Sequence, residues 1–215
     1  MKSQQSGFTL VEIAIVLVII GLLLGGILKG QELINSAKVK GLAQDFRNVQ
    51  TALYGYQDRY KSIPGDHATA ATSINGATNA TTPATSIGNG RIDGAWNTTT
   101  NTDESLLFWQ HIRLAGFMSG PTAVADPDYT PKNAVGLTMG ISSTIYMTTP
   151  TAMTGTYNIC SSGILGKFAK QLDTQLDDGN TQTGSVRAAL STADTAAIAT
   201  ASIDDAASYL VCMTF

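Results

Sequence analysis

The sequence predicts an α+β fold, with one long N-terminal helix packed on a head built around an antiparallel β-sheet. Three observations carry the prediction. Residues 8–28, FTLVEIAIVLVIIGLLLGGIL, form an apolar run with a single ionisable residue, Glu12, and a run of this length crosses a bilayer as a helix. Beyond it, Val39, Leu42, Phe46, Val49, Leu53, Tyr56 and Tyr60 recur at alternating steps of three and four, which keeps one helix face apolar. In the C-terminal part, short apolar-alternating segments bounded by Gly, Asn and Asp have the pattern of strands.

The helix is expected over residues 8–61, roughly 80 Å at 1.5 Å per residue, with 8–28 spanning the membrane and the striped second half lying on the head. The stripe needs cover, and packing on the chain's own head is preferred to a coiled-coil dimer. Ser62-Ile63-Pro64-Gly65-Asp66 ends the helix, because the residue before a proline is pushed out of the helical region. Gly21, Gly25, Gly26 and Gly30 include two pairs four residues apart, the spacing that lets membrane helices approach closely.

The head, residues 62–215, opens with a polar stretch over 66–102, rich in Ala, Thr, Asn and Gly, which predicts a surface loop. Within it, Gly88-Asn89-Gly90-Arg91-Ile92-Asp93-Gly94 has the outline of a calcium loop without its ordered acids and terminal glutamate, so a turn is expected. Asn79-Ala-Thr81 and Asn97-Thr-Thr99 are formal glycosylation sequons. Asn101, three residues before Glu104, predicts a helix start, and the apolar residues from Leu106 to Ala115 continue to a stop at Gly116, with Trp109 as a core anchor. Strands are predicted at Val135–Ile141, at Ile145 and Met147, at Thr156–Cys160 and at Tyr209–Thr214. A second helix is expected over Ile164–Leu176, stopped by Asp177-Asp178-Gly179.

Composition fits a tethered structural protein. Charged residues make up 13% of the chain, about half the usual globular share of ~25%. Net charge is −3, with an excess of three positive charges over residues 1–61 and of six negative charges over the rest. An acidic head is a poor nucleic-acid surface, so no nucleic-acid partner is expected. Metalloprotease, nucleophile-elbow, Ser-x-x-Lys, phosphate-loop and dinucleotide motifs are missing, so catalysis is not expected, although the spacing of the two histidines, His67 and His111, does not by itself exclude a His-based triad. Zinc is not expected either, since a structural site wants four Cys or His ligands.

At its N-terminus the chain resembles the type IV prepilin and pseudopilin family. The residues that carry the resemblance are the polar leader MKSQQSG ending at Gly7, then Phe8, then Glu12 four residues later. The resemblance implies that residues 1–7 are a leader, that a prepilin peptidase cuts between Gly7 and Phe8 and methylates the new amine, and that the mature chain is handed to inner-membrane assembly machinery. The product implied is a homopolymeric type IV pilus or related filament, in which Glu12 meets the Phe8 amine of a neighbouring subunit. The alternatives are a minor pilin or secretion pseudopilin, and a membrane-tethered adhesin or binding domain. An ordinary signal peptide would instead be cut after its apolar core, where only the poor site Asn35-Ser36-Ala37 occurs.

The count of flanking lysines alone would place the head in the cytoplasm. The resemblance and the cysteine usage both favour an exported head, which implies an inner-membrane prepilin with its head in the periplasm. Cys160 and Cys212 are the only cysteines, and in an oxidising compartment they are expected to pair. Short head segments, Pro64-Gly65-Asp66, Gly88-Asn89-Gly90, Trp109 through Gly116 and Leu176-Asp177-Asp178-Gly179, also resemble recurring motifs of a pilin-like subgroup. Asp177 and Asp178 are the candidate calcium ligands, against the default of a helix stop and turn, and no other cofactor is expected.

Overall fold

The computed structural model describes Gly7, residues 9–190 and residues 195–215. Its elements in chain order are α1 (Leu10–Tyr60), α2 (Ala70–Ser73), α3 (Glu104–Leu114), β1 (Met139–Ser142), β2 (Asn158–Leu165), α4 (Gly166–Leu176), β3 (Val186–Leu190), a 3-10 turn (Thr200–Ser202) and β4 (Ser208–Thr214). The chain divides into two compact units, Met1–Lys38 and Val39–Phe215.

In the first unit α1 is helical without a break through Gly21, Gly25, Gly26 and Gly30. Its large apolar side chains, from Leu10 through Leu28 to Leu33 and Ile34, are exposed.

In the second unit the stripe of α1 turns inward. Val39, Leu42, Phe46, Val49, Leu53 and Tyr56 are buried and join one hydrophobic core with Trp109 and Ile112 of α3, Phe168 and Leu172 of α4, and one face of the sheet. α1 ends at Tyr60, and Lys61 takes a left-handed backbone conformation at φ 53°, so the helix stops before Pro64 is reached.

The sheet has four antiparallel strands in the order β1-β2-β4-β3. Period-two alternation sends Ile159, Val186, Ala188, Tyr209, Val211 and Met213 to the helix-side core, and a register shift between Ser161 and Ile164 brings Ile164 to the same face. Cys160, Ala189, Leu210 and Cys212 face a second, smaller core with Trp96, Met147 and Met153. Cys160 and Cys212 are direct cross-strand partners and form the disulfide. Gly140 of β1 is required by this second layer, because a Cβ there would collide with the Trp96 carbonyl oxygen.

Several expectations are corrected. The polar stretch 66–102 holds the short helix α2 and contributes the buried residues Ile74, Ile92 and Trp96, because its few apolar groups are spaced to cover the core's edges. The helix expected from Asn101 starts at Glu104 with Asp103 as its N-cap. The Asp103 carboxylate accepts the hydroxyls of Thr82 and Thr98 at 2.5 and 2.6 Å, so it ties the preceding loop. Val135 and Leu137 are not strand residues, since their amides bond the Asn133 side-chain oxygen in a turn. Ile145 also lies outside any strand and is exposed. The run from Thr156 begins its strand at Asn158, and the helix expected from Ile164 begins at Gly166.

Candidate functional site

The N-terminal segment is built by local hydrogen bonding. Gly7 is exposed and Phe8 lies outside the described residues. Thr9 precedes the first turn of α1, and Glu12 sits within it. The Glu12 carboxylate oxygen Oε2 accepts the Thr9 backbone N–H and hydroxyl, both at 2.8 Å, while the Thr9 hydroxyl oxygen accepts the Glu12 N–H at 3.2 Å. This is a reciprocal capping box, which satisfies backbone donors that a helix start leaves open. The Thr-x-x-Glu spacing announces it in the sequence, so Thr9 is a site residue that the pattern makes available.

From Leu10 onward α1 is long and apolar enough to cross a membrane, by length and composition. Bare apolar side chains over this length are unfavourable in water by ~25 cal/mol per Å². Lipid or other apolar helices are the surroundings they suit.

Three of the head motifs, Pro64-Gly65-Asp66, Gly88-Asn89-Gly90 and the helix carrying His111, come together in one polar cluster. The Asp66 carboxylate accepts the backbone amides of Gly88, Asn89 (3.3 Å) and Gly90 (2.6 Å), an arrangement in which successive N–H groups cradle an anion. The loop that resembled a calcium site is thus occupied by the chain's own carboxylate. Gly65 lies at φ +91°, and a Cβ there would collide with the Glu104 carbonyl oxygen.

Beneath this cradle Glu104 is fully buried. Its Oε2 accepts the Asp93 N–H at 2.7 Å, and its carboxyl shares a side-chain hydrogen bond with the Asp66 carboxylate. Burial, with the Asp66 and Asp93 charges alongside, pushes its carboxyl up to about 8. His111, also fully buried, accepts the Gly65 N–H at Nδ1 (2.9 Å) and donates from Nε2 to the Thr78 carbonyl (2.8 Å), so it is the neutral Nε2–H tautomer. Burial holds it down at about 4. Tyr56 of α1 reaches the same cluster through a 2.8 Å bond to His67 Nδ1. The other ring nitrogen of His67, Nε2, lies 3.2 Å from the Thr69 hydroxyl and 3.5 Å from the Ser73 hydroxyl.

Asp177 and Asp178 stand where α4 stops. Asp177 Oδ2 accepts the amides of Ser185 (2.5 Å) and Val186 (3.0 Å), which sets the start of β3. Asp178 accepts the Asn180 N–H (2.8 Å) and the Thr183 hydroxyl (3.0 Å). Beside them is Asp173, a residue that the sequence motifs do not single out. It is fully buried, and oxygens of all three carboxylates lie within 4.8 Å of one another. The signal was present in outline, since Asp173 lies on the predicted helix one turn before the Asp177-Asp178-Gly179 stop.

Residues 2–28 match the prokaryotic N-terminal methylation motif. The chain carries the class III signal peptide of type IV pilins and pseudopilins. The methylation motif ends at Leu28, so it covers the capping-box segment and the exposed apolar half of α1 but none of the head. No curated protein matches the chain. The long apolar helix with a four-stranded antiparallel sheet has the α+β arrangement of the type IV pilin fold.

Proposed function

We propose that the chain is a structural subunit that is cut between Gly7 and Phe8, methylated at the Phe8 amine, and polymerised through α1 into a type IV pilus or a related pseudopilus. The observation that carries the proposal is the methylation motif running directly into an exposed apolar helix. Before assembly residues 8–28 lie in the inner membrane with the head in the periplasm. In the filament the same side chains pack against neighbouring helices, with the glycine pairs allowing close approach. A signal peptide discarded by its peptidase has no use for an apolar helix that continues unbroken into the folded core.

In this reading Glu12 has two successive partners. Within one chain it closes the capping box with Thr9. In the filament it meets the Phe8 amine of the adjacent subunit, where two groups that are costly to bury singly are buried as a pair and fix axial register.

Glu12→Ala tests the reading. It removes the one costly group in the apolar run, so a plain membrane anchor tolerates or benefits from it. A filament subunit with this pairing loses assembly while leader cleavage continues. Mass spectrometry of the mature N-terminus checks that cleavage falls between Gly7 and Phe8, and electron microscopy of sheared cells counts filaments at matched expression. Wild-type filament numbers from the variant would remove the pairing mechanism. An uncut leader in the wild-type chain would remove the whole proposal.

A further inference from the structure

We propose that Asn75 is a site of spontaneous deamidation in the folded head, and that the Asp66 cradle protects the other Asn-Gly pair, Asn89-Gly90, from the same reaction. The observation that points to it is a contrast within one chain. Asn-Gly occurs twice in the sequence, at 75–76 and at 89–90. All four residues are exposed, and both glycines lie at positive φ, 84° and 81°. What differs is the hydrogen bonding.

At Asn89 the three polar groups that the reaction uses are committed. The side-chain oxygen Oδ1 accepts the Arg91 N–H at 2.8 Å, Nδ2 donates to the Asp93 carboxylate at 3.0 Å, and the Gly90 N–H donates to Asp66 Oδ2 at 2.6 Å. Asn75 lies in the turn after α2, which is closed by the Ala77 N–H on the Ile74 carbonyl at 3.1 Å. Among the described residues neither its carboxamide nor the Gly76 N–H has a hydrogen-bond partner. A Cβ built on Gly76 would meet nothing nearer than Leu114 at 3.8 Å. The Asn75 side chain therefore swings over the following peptide without displacing a neighbour.

The reaction is ring closure by the next backbone nitrogen, and a following glycine leaves the approach open because it has no Cβ. Hydroxide takes the Gly76 amide proton, the nitrogen bonds to Asn75 Cγ, and the Cγ–Nδ2 bond breaks, with the leaving nitrogen taking a proton from water and departing as ammonia. Water then opens the five-membered imide at either carbonyl. The product is aspartate, or the isomer in which the main chain runs through Cγ; water has entered, ammonia has left, and no oxidation state has changed. At Asn89 the same closure would make an anionic amide nitrogen beside the Asp66 carboxylate, which a like charge disfavours. Giving up one charge-assisted hydrogen bond slows it by roughly tenfold or more. Conversion at Asn75 adds a carboxylate to an acidic head, and the isomer lengthens the turn that follows the buried Ile74.

The test uses the full-length chain in detergent, so its outcome is independent of whether the chain forms filaments. The protein is held in mildly alkaline heavy-oxygen water, natively and in denaturant, and then digested with trypsin. Residues 62–91 follow Lys61 and end at Arg91 with no other Lys or Arg between. Both asparagines thus fall on one peptide, and fragmentation mass spectrometry reads each against the other. In the native chain Asn75 is expected to take up heavy oxygen and to appear as aspartate and isoaspartate, while Asn89 converts more slowly by roughly tenfold or more. In denaturant the two are expected to convert at similar rates. Asp66→Asn, which removes the charge from the cradle, is expected to speed Asn89 in the native state and leave Asn75 as it was. An Asn75 that stays an amide natively while the denatured chain converts overturns the site. Equal native rates at the two positions overturn the protection, as does a folded Asp66→Asn chain in which Asn89 is as slow as in wild type. If Asp66→Asn fails to fold, the comparison of native with denatured wild type decides alone.

Discussion

Glu104 occupies the first turn of α3, a place where sequence reasoning expects an exposed acid helping the helix start. In the structure it is fully buried beneath the Asp66 cradle, and its carboxyl titrates near 8 instead of near 4.5. A folded-state value above the unfolded one means that the native state binds the extra proton across that interval, so this group's contribution falls as pH rises from about 4.5 to about 8. His111 works in the opposite sense: held near 4 against an ordinary 6.5, it costs stability as pH falls below about 6.5. Head stability is therefore expected to decline between pH 6.5 and 8. Glu104→Gln should remove much of that decline, leaving the part below pH 7 that belongs to the raised carboxyl of Asp173. Thermal unfolding of wild type and variant at half-unit pH steps checks this, and parallel curves would refute it. The Pro-Gly-Asp and Gly-Asn-Gly motifs were legible as short strings, but that they grip each other across more than twenty residues was not. Nothing in local spacing tells an acid that fills its own chain's cradle from one waiting for a ligand.

Among the elements, legibility followed length and one-sided burial. α1 was readable because apolar periodicity sustained over many turns fits neither a strand nor a loop, and β4 because Tyr209–Thr214 is a concentrated apolar segment. β3, Val186–Leu190, was missed. Its sequence VRAAL carries an arginine and two alanines, and burial on both faces erases the alternation that marks a strand. The overextended strand at Val135–Ile141 errs the other way, since Asn133 folds its first half into a turn that mimics alternation. The β2–β4 pairing joins residues some fifty positions apart and is covalently fixed by Cys160 and Cys212, whose sequence separation is 52. On the chain-entropy model a loop of that size contributes about 4 kcal/mol. Cys160→Ser is expected to lower head stability by about 2 to 4 kcal/mol in chemical denaturation. A midpoint unchanged from wild type would mean that the two cores hold these strands without the bond.

At the scale of the molecule, the two units differ in what they need from their surroundings. Core residues begin at Val39, while the apolar side chains of the first unit are exposed. A fragment of residues 39–215 is therefore expected to fold by itself, with a cooperative melt by circular dichroism and little change in midpoint from the full chain in detergent. Loss of cooperativity would show that the first unit contributes to the fold. The methylation motif was readable at this scale because it joins a junction, an acid and an apolar run within thirty residues, whereas the head's assignment rests on architecture alone. The disulfide also gives the head a closed covalent circuit from Cys160 through α4, the acidic corner, β3 and the 3-10 turn back to Cys212. A protease that cuts this circuit once releases no fragment: the nicked head runs as one species on a non-reducing gel and parts into two only when the bond is reduced. Clipping within the circuit thus leaves the C-terminal strand tethered to its neighbour, and under the proposed function a filament built from such heads would keep all its mass after a first wound.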